Sequence, residues 1–273
     1  MNDFTSFKAN WEPKYSSIKK IAEEINIGLD SLVFIDDNAM EREIISSQIT
    51  SVSVQNVGNN VLDFIKHIEG NGFFEIANLS TDDINRNKFY FEKRIRDVQK
   101  SAFENYDDFL KSLEMQAEIK SFSPIYLERI TQLINKTNQF NLTTKRNTIT
   151  EVEQYANSSN YITLYGKLED RFGDNELISV LIGKVDVKKC VINTFLMSCR
   201  VLKRDMEYAM LDVLVQECKD RNLNEIWGVY KPIPKNKMVA NLFSDFGFEQ
   251  LETTEEGSTV WKLELNKYYK PEI

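Results

Sequence analysis

Two places in this sequence carry side chains that could do chemistry. The first is Cys199, set in Phe195-Leu196-Met197-Ser198-Cys199-Arg200-Val201-Leu202-Lys203-Arg204-Asp205. A thiol followed closely by Arg200, Lys203 and Arg204 stands where its pKa should fall, and the thiolate is the nucleophilic form. The competing reading is a buried small apolar residue, the commonest fate of a reduced cysteine. Cys199 also stands on the approach to a predicted helix N-terminus, a setting that Cys190 and Cys218 do not have, and those two read as packing. The chain has 3 cysteines, widely spaced and without a CxxC pair, so they read as free thiols and not as a disulfide frame or zinc site. The second place is Asp36-Asp37, at the end of the apolar run Ser31-Leu32-Val33-Phe34-Ile35. Adjacent carboxylates repel each other, and a hard cation such as Mg²⁺ commonly offsets that. Capping of the next helix would account for one acid but not for both.

There is 1 histidine, His67, which leaves little room for a Ser-His-Asp triad or a multi-histidine metal centre. Its setting, Leu62-Asp63-Phe64-Ile65-Lys66-His67-Ile68, reads as the exposed side of an amphipathic helix.

These groups need elements to position them. Ser16 to Ile27 has one apolar face, Ile18, Ala22 and Ile25, and predicts a helix stopped near Gly28. The run from Ser31 to Ile35 suits a buried parallel strand, Ala39 to Gln48 a helix, and Ser51 to Val57 a second strand. That β-α-β unit places Asp36 and Asp37 at the carboxyl end of a strand, where open α/β sheets bind ligands. The charged stretch from Thr81 to Lys111 predicts a helical connector with a solvated face. Beyond it, Met115–Phe122 predicts a strand and Pro124–Lys136 a helix. Ile149–Ala156 predicts another helix, with Thr150 as cap and Glu153 completing a capping box. Three strands follow, Tyr161–Leu168, Leu177–Val185 and Cys190–Met197, with a hairpin turn at Asp174-Asn175 between the first two. A long helix from Asp205 to Arg221 comes next, then a strand Glu225–Tyr230. A short helix Lys235–Asp245 capped by Gly247 and a closing strand Thr259–Leu265 complete the pattern. The amides that open the Asp205 helix, with Lys203 and Arg204, suit a phosphate or pyrophosphate.

A chain of 273 residues, 42% hydrophobic and 11% aromatic, has material for two cores. The expected divisions are 1–75, a connector at 76–106, and 107–273. A net charge of −8 argues against a nucleic-acid surface. No stretch approaches the roughly 18 uncharged apolar residues of a membrane helix, and the N-terminus lacks a secretion signal. A cytoplasmic protein without a nucleic-acid or membrane partner is expected.

Several blocks carry a resemblance. They are Asn10-Trp11-Glu12-Pro13-Lys14; Gly28-Leu29-Asp30-Ser31-Leu32-Val33-Phe34-Ile35-Asp36-Asp37-Asn38; Lys136-Thr137-Asn138-Gln139-Phe140-Asn141-Leu142; Asp170-Arg171-Phe172-Gly173-Asp174; Met197-Ser198-Cys199-Arg200-Val201; and Tyr230-Lys231-Pro232 with Lys235-Asn236. Together they resemble FkbH-type proteins, a branch of the haloacid dehalogenase superfamily fused to a GNAT-like acyltransferase domain. The fold so implied is α/β, a partial haloacid-dehalogenase-like (Rossmannoid) parallel sheet followed by a GNAT-like α+β domain. The resemblance implies that Lys14 neutralises a phosphoryl group and that Asp36 and Asp37 hold Mg²⁺. The family's DxDxT nucleophile motif and its second-strand Ser or Thr have no counterpart here. The chain thus resembles a member cut before its third motif, unless a separate chain supplies the missing half. In the second domain the resemblance implies binding of a phosphopantetheine arm, of coenzyme A or of an acyl carrier protein. Arg200-Val201-Leu202-Lys203-Arg204 replaces the usual Gly-rich pyrophosphate loop, and Ile233 replaces the Thr of a Tyr-x-Pro-Thr element. FkbH-type proteins load a three-carbon unit from a glycolytic bisphosphate onto an acyl carrier protein. The implied roles are a transient thioester on Cys199 assisted by Arg200, phosphate held by Lys203 and Arg204, and substrate oriented by Asn138, Asn141, Arg171 and Asn236. The alternative is a non-catalytic module that binds a carrier or an acyl group.

Overall fold

The computed structural model describes residues 4–25, 27–58, 60–75 and 85–270. Asn26 and the part of the connector at 76–84 lie outside the described residues. The chain divides into two compact units, one up to Ile95 and one from Arg96.

In the first unit, α1 (Lys14–Ile25), β1 (Val33–Ile35), α2 (Ala39–Gln48), β2 (Ser53–Gln55) and α3 (Phe64–Gly70) follow in order. β1 and β2 pair in parallel, with Val33 opposite Ser53 and Ile35 opposite Gln55, as the β-α-β pattern predicts. Asn38 caps α2 by accepting the Met40 amide at 2.9 Å. The core is small: Ile45, Ile49 and Val52 are buried, and Ile18, Leu32 and Phe34 pack against them. His67 is exposed, as its pattern predicts, and so are Val61, Leu62 and Ile65 beside it.

α4 (Arg86–Lys100) leads into the second unit. There α5 (Tyr106–Ser112), β3 (Gln116–Ser121), α6 (Leu127–Lys136), β4 (Phe140–Asn141) and α7 (Ile149–Ala156) come first. They are followed by β5 (Tyr161–Asp170), β6 (Gly173–Asp186), β7 (Lys189–Met197), α8 (Met206–Asp220), β8 (Glu225–Tyr230), α9 (Leu242–Asp245), β9 (Glu249–Thr253) and β10 (Thr259–Glu264). The sheet runs β3-β5-β6-β7-β8-β10-β9, and β4 joins it through β7. Its neighbours are antiparallel except β7 and β8, which are parallel and joined through α8. A parallel pair needs such a crossover.

Alternation along the strands builds a core on each face. Leu164, Leu181 and Phe195 meet Met206, Met210 and Leu214 of α8 on one side. Tyr165, Val180 and Leu196 meet Leu127, Ile130 and Ile134 of α6 and Val152 of α7 on the other. A Cβ at Gly166 would meet the ends of the Met206 and Met210 side chains of α8. β9 ends the sheet, with all of its residues exposed.

Several expectations need correction. β4 and β9 have no counterpart among the predicted strands. The β5–β6 hairpin turns at Arg171-Phe172, with Asp170 opposite Gly173. Asn175, expected in the turn, is buried and donates to the Leu168 carbonyl at 3.2 Å. The capping box of α7 uses Thr148 and Glu151, two residues earlier than Thr150 and Glu153. The helix expected over Lys235–Asp245 is a 3₁₀ turn, Lys237–Val239, followed by α9. Gly247 does end it, at φ 79. The charged run is not a solvated face throughout, since Glu92 and Arg96 are buried.

Candidate functional site

Cys199 stands where β7 leaves the sheet. The Ser198 amide donates to the Ile178 carbonyl at 2.7 Å, fixing the end of the strand against β6. The Ser198 hydroxyl accepts from the Arg200 amide at 3.4 Å and from Arg200 Nε at 3.3 Å. The 3₁₀ turn Cys199–Val201 is thereby capped, with Val201 fully buried beneath it. Cys199 is exposed, whereas Cys190 and Cys218 are buried. Burial and the contact between them push the Cys218 thiol up, the contact being the larger cause. Those two are packing groups, as their sequence setting suggests.

The chain then turns through Lys203 at φ 63 and Asp205 at φ 57 before α8 begins at Met206. The left-handed region costs a non-glycine residue roughly 1–2 kcal/mol. The Lys203 carbonyl accepts from Tyr106 Oη at 2.6 Å, which helps hold the turn. Cys199 therefore opens a separate capped turn, several residues before the long helix begins.

The cations around the thiol divide. Lys203 is exposed. Arg204 instead points inward, its Nη1 2.8 Å from Asp170 Oδ2. Arg96 grips the same carboxylate with two bonds, Nε at 2.8 Å and Nη2 at 2.9 Å. The Phe172 amide adds a bond to Oδ1 at 2.9 Å. Burial alone would raise the Asp170 carboxyl. The Arg96 bonds, the Phe172 amide and both guanidinium charges outweigh it, and the carboxyl lies below its ordinary value. Arg204 is thus committed to a buried cluster, a structural role that the phosphate reading did not foresee.

The start of α8 is acidic instead. Asp205 and Glu207 stand there, and burial raises both carboxyls, with Asp107 adding to the rise at Asp205 and Asp205 adding to that at Glu207. Glu207 Oε2 is buried without a hydrogen-bond partner. Carboxylates already answer the helix dipole there and oppose a second anion.

The amides expected to orient substrate serve the chain itself. Asn141 is fully buried; its Oδ1 accepts the Thr143 and Thr144 amides at 3.3 and 2.8 Å, and its Nδ2 donates to the Thr137 carbonyl at 3.1 Å. Asn236, also fully buried, accepts from the Ile233 amide at 2.8 Å and from Tyr230 Oη at 3.3 Å. It donates to the Asn141 and Lys231 carbonyls, each at 2.9 Å. Asn138 accepts from Arg146, which also donates to the Ile134 carbonyl at the end of α6 at 2.6 Å. Arg171 is exposed and donates to Gln99.

In the first unit, Lys14 Nζ lies 2.5 Å from Asp36 Oδ2, and the Asn38 amide donates to Asp36 Oδ1 at 2.9 Å. Arg42 donates to the carbonyls of Asp36 and Asp37 at 2.7 and 3.0 Å. Burial would raise the Asp36 carboxyl; the Lys14 bond, the Asn38 amide and the Lys14 charge bring it below its ordinary value. The structure pairs Lys14 with Asp36, two residues to which the resemblance gave separate roles. A fit to Mg²⁺ is poor, however. The ammonium and an amide already use both Asp36 oxygens, and the described residues add no further acid, histidine or cysteine to form a metal-holding group of three or more.

The Arg96–Asp170–Arg204 cluster is what the sequence reading missed. A signal was present: Phe89, Glu92 and Arg96 are all buried and recur at helical spacing, so two charges share a buried face with an aromatic.

No family model matches the chain, and no curated protein matches it. Solved structures do. The ribosomal-protein-S18-alanine N-acetyltransferase of Escherichia coli is 13% identical, with a TM-score of 0.43, over 55% of this chain and 94% of its own. The GNAT domain of PAT from S. lividans is 13% identical, with a TM-score of 0.45, over 54% and 90%. Spermidine N-acetyltransferase from Vibrio cholerae, solved with CoA and spermine, is 12% identical, with a TM-score of 0.44, over 56% and 98%.

Proposed function

We propose that the second unit is an acyl-transfer module that takes an acyl group on Cys199 and hands it to a carrier-protein thiol, as the FkbH-type resemblance implies for a glyceryl-type unit. The observation that supports this reading is the exposure of Cys199 in a capped turn at the carboxyl end of β7, with Arg200 folded beside it and the other cysteines buried. In the first step the Cys199 thiolate attacks a thioester carbonyl. A new S–C bond forms, the donor S–C bond breaks, and the donor leaves as a thiolate that takes up the proton released by Cys199. The second step repeats this with the acceptor thiol as attacker. Intact-mass spectrometry of the full chain with an acyl-pantetheine donor tests it: one acyl increment is expected, absent in Cys199→Ser. An increment that survives in Cys199→Ser overturns the proposal.

A second reading has an observation behind it. Arg204, Asn141 and Asn236 are tied up internally, which favours a module that binds an acylated carrier without transferring the group. Retention of acyl carrier protein on the chain, with no mass increment on Cys199, would select it. The first unit is proposed as a remnant phosphate-site scaffold, with Lys14 and Asp36 paired to each other, unless another chain completes its two-stranded sheet.

A further inference from the structure

The strongest unexplained feature lies between β7 and β8. These parallel strands pair only from Lys189 opposite Glu225 to Ile192 opposite Gly228. The other edge of β7 is bulged at the same level. There Ile182 faces Thr194 while Gly183 faces Ile192, so Asn193 is an extra residue. A bulge of this kind bends its strand. β7 runs on to Met197 and β8 to Tyr230, no longer paired to each other.

Diverging strands leave a column of backbone donors and acceptors. An extended amide chain, such as a pantetheine arm or a peptide strand, is the chemical class that satisfies such a column. Here residues 140–143 already satisfy it. Phe140 and Asn141 pair antiparallel with Met197 and Leu196. The Leu142 amide donates to the Phe195 carbonyl at 3.1 Å, and Thr143 Oγ1 donates to the Asn193 carbonyl at 2.9 Å. On the other side, the Lys231 amide donates to the Leu142 carbonyl at 2.8 Å. Asn236 bridges Asn141 to Lys231. Phe140 and Leu142 are buried, with the Phe140 ring edge-on to Phe195.

We infer that Phe140–Thr143 is a built-in strand that fills the divergence of β7 and β8 and excludes an extended amide ligand from the β7 edge. Asn141 and Asn236 are the positioning residues that lock it. The inference stands on strand register and hydrogen bonds, and it does not require Cys199 to carry an acyl group. If Cys199 does, the donor meets it beyond Met197 and not between the strands.

Hydrogen exchange on the full chain tests this. The Leu142 and Lys231 amides are expected to be as protected as those shared by β6 and β7, and to stay so in millimolar coenzyme A or pantetheine. Exchange at the rate of an open loop, or loss of protection on adding either compound, overturns the inference. Asn236→Ala should speed exchange at both amides at least tenfold while the β5–β6 amides hold. Equal exchange in that variant removes Asn236 from the lock, and the wild-type measurement alone decides the rest. A missing mass increment on Cys199 would leave these results untouched, so the two proposals fail separately.

Discussion

Two aspartates at strand ends each hold a cation, and they differ in what surrounds them. Asp170 ends β5 with a side chain 0% exposed, gripped by Arg96 and Arg204, whose side chains are 4% and 9% exposed. Asp36 follows β1 with a side chain 10% exposed, but its Lys14 partner is 47% exposed. In the first case each charge depends on the others, because water cannot replace a lost partner. In the second, water and salt compete for the lysine. The same pairing of charges is therefore architecture in one place and an adjustable surface contact in the other.

The sharpest way to break this comparison is Asp170→Ala. It leaves two buried guanidinium groups facing each other, and a loss of about 3–5 kcal/mol is expected in urea unfolding. A loss under about 1 kcal/mol would put Asp170 in the same class as Asp36. The pH dependence follows from its lowered carboxyl. The unfolded chain binds the proton more tightly, so the stabilisation is present above the ordinary carboxylate value and is lost as pH falls through the folded one. In Asp170→Asn that acid limb should flatten.

Glu207 offers the opposite sign and a smaller effect. Its raised carboxyl means that the folded chain binds the proton more tightly. Its burden is absent below the ordinary carboxylate value and is fully felt only above the raised one. Glu207→Gln should gain on the order of 1 kcal/mol at neutral pH and nothing in acid, read from paired unfolding curves. A loss at neutral pH would show that the buried oxygen has a use in the fold. Lys14→Ala comes last: no more than about 1 kcal/mol, shrinking further in high salt. In that variant the Asp36 carboxyl should titrate closer to its ordinary value, as followed by NMR. A salt-independent loss of several kcal/mol would erase the contrast.

Much of the fold was legible in the sequence. The long strands β5, β6 and β7 and the helices α6 and α8 carry enough periodic residues for the period to show. β4 does not. Two residues have no period, and Phe140 and Asn141 pair with Met197 and Leu196, far away in sequence. β9 reads as a surface loop because every residue in it is exposed. Arg96 and Glu92 were hidden by their own chemistry, since a charge run suggests water until a partner such as Asp170 is seen. The site was legible in part. Local context singled out Cys199 and Asp36-Asp37 as candidates, but not the ion pair between Lys14 and Asp36. It could not show that Arg204 turns inward or that the Asn236 side chain bonds the Asn141 carbonyl, because those partners lie far apart along the chain.

The bare end of the sheet has a consequence for behaviour at high concentration. Among the described residues β9 offers an unpaired edge that another copy could extend, the usual seed of aggregation. Glu249 and Glu252 put negative charge on that edge, and two copies meeting edge to edge would bring these carboxylates together. Repulsion built into Glu249-Gln250-Leu251-Glu252-Thr253 thus acts as a guard for colloidal stability, one that salt screens.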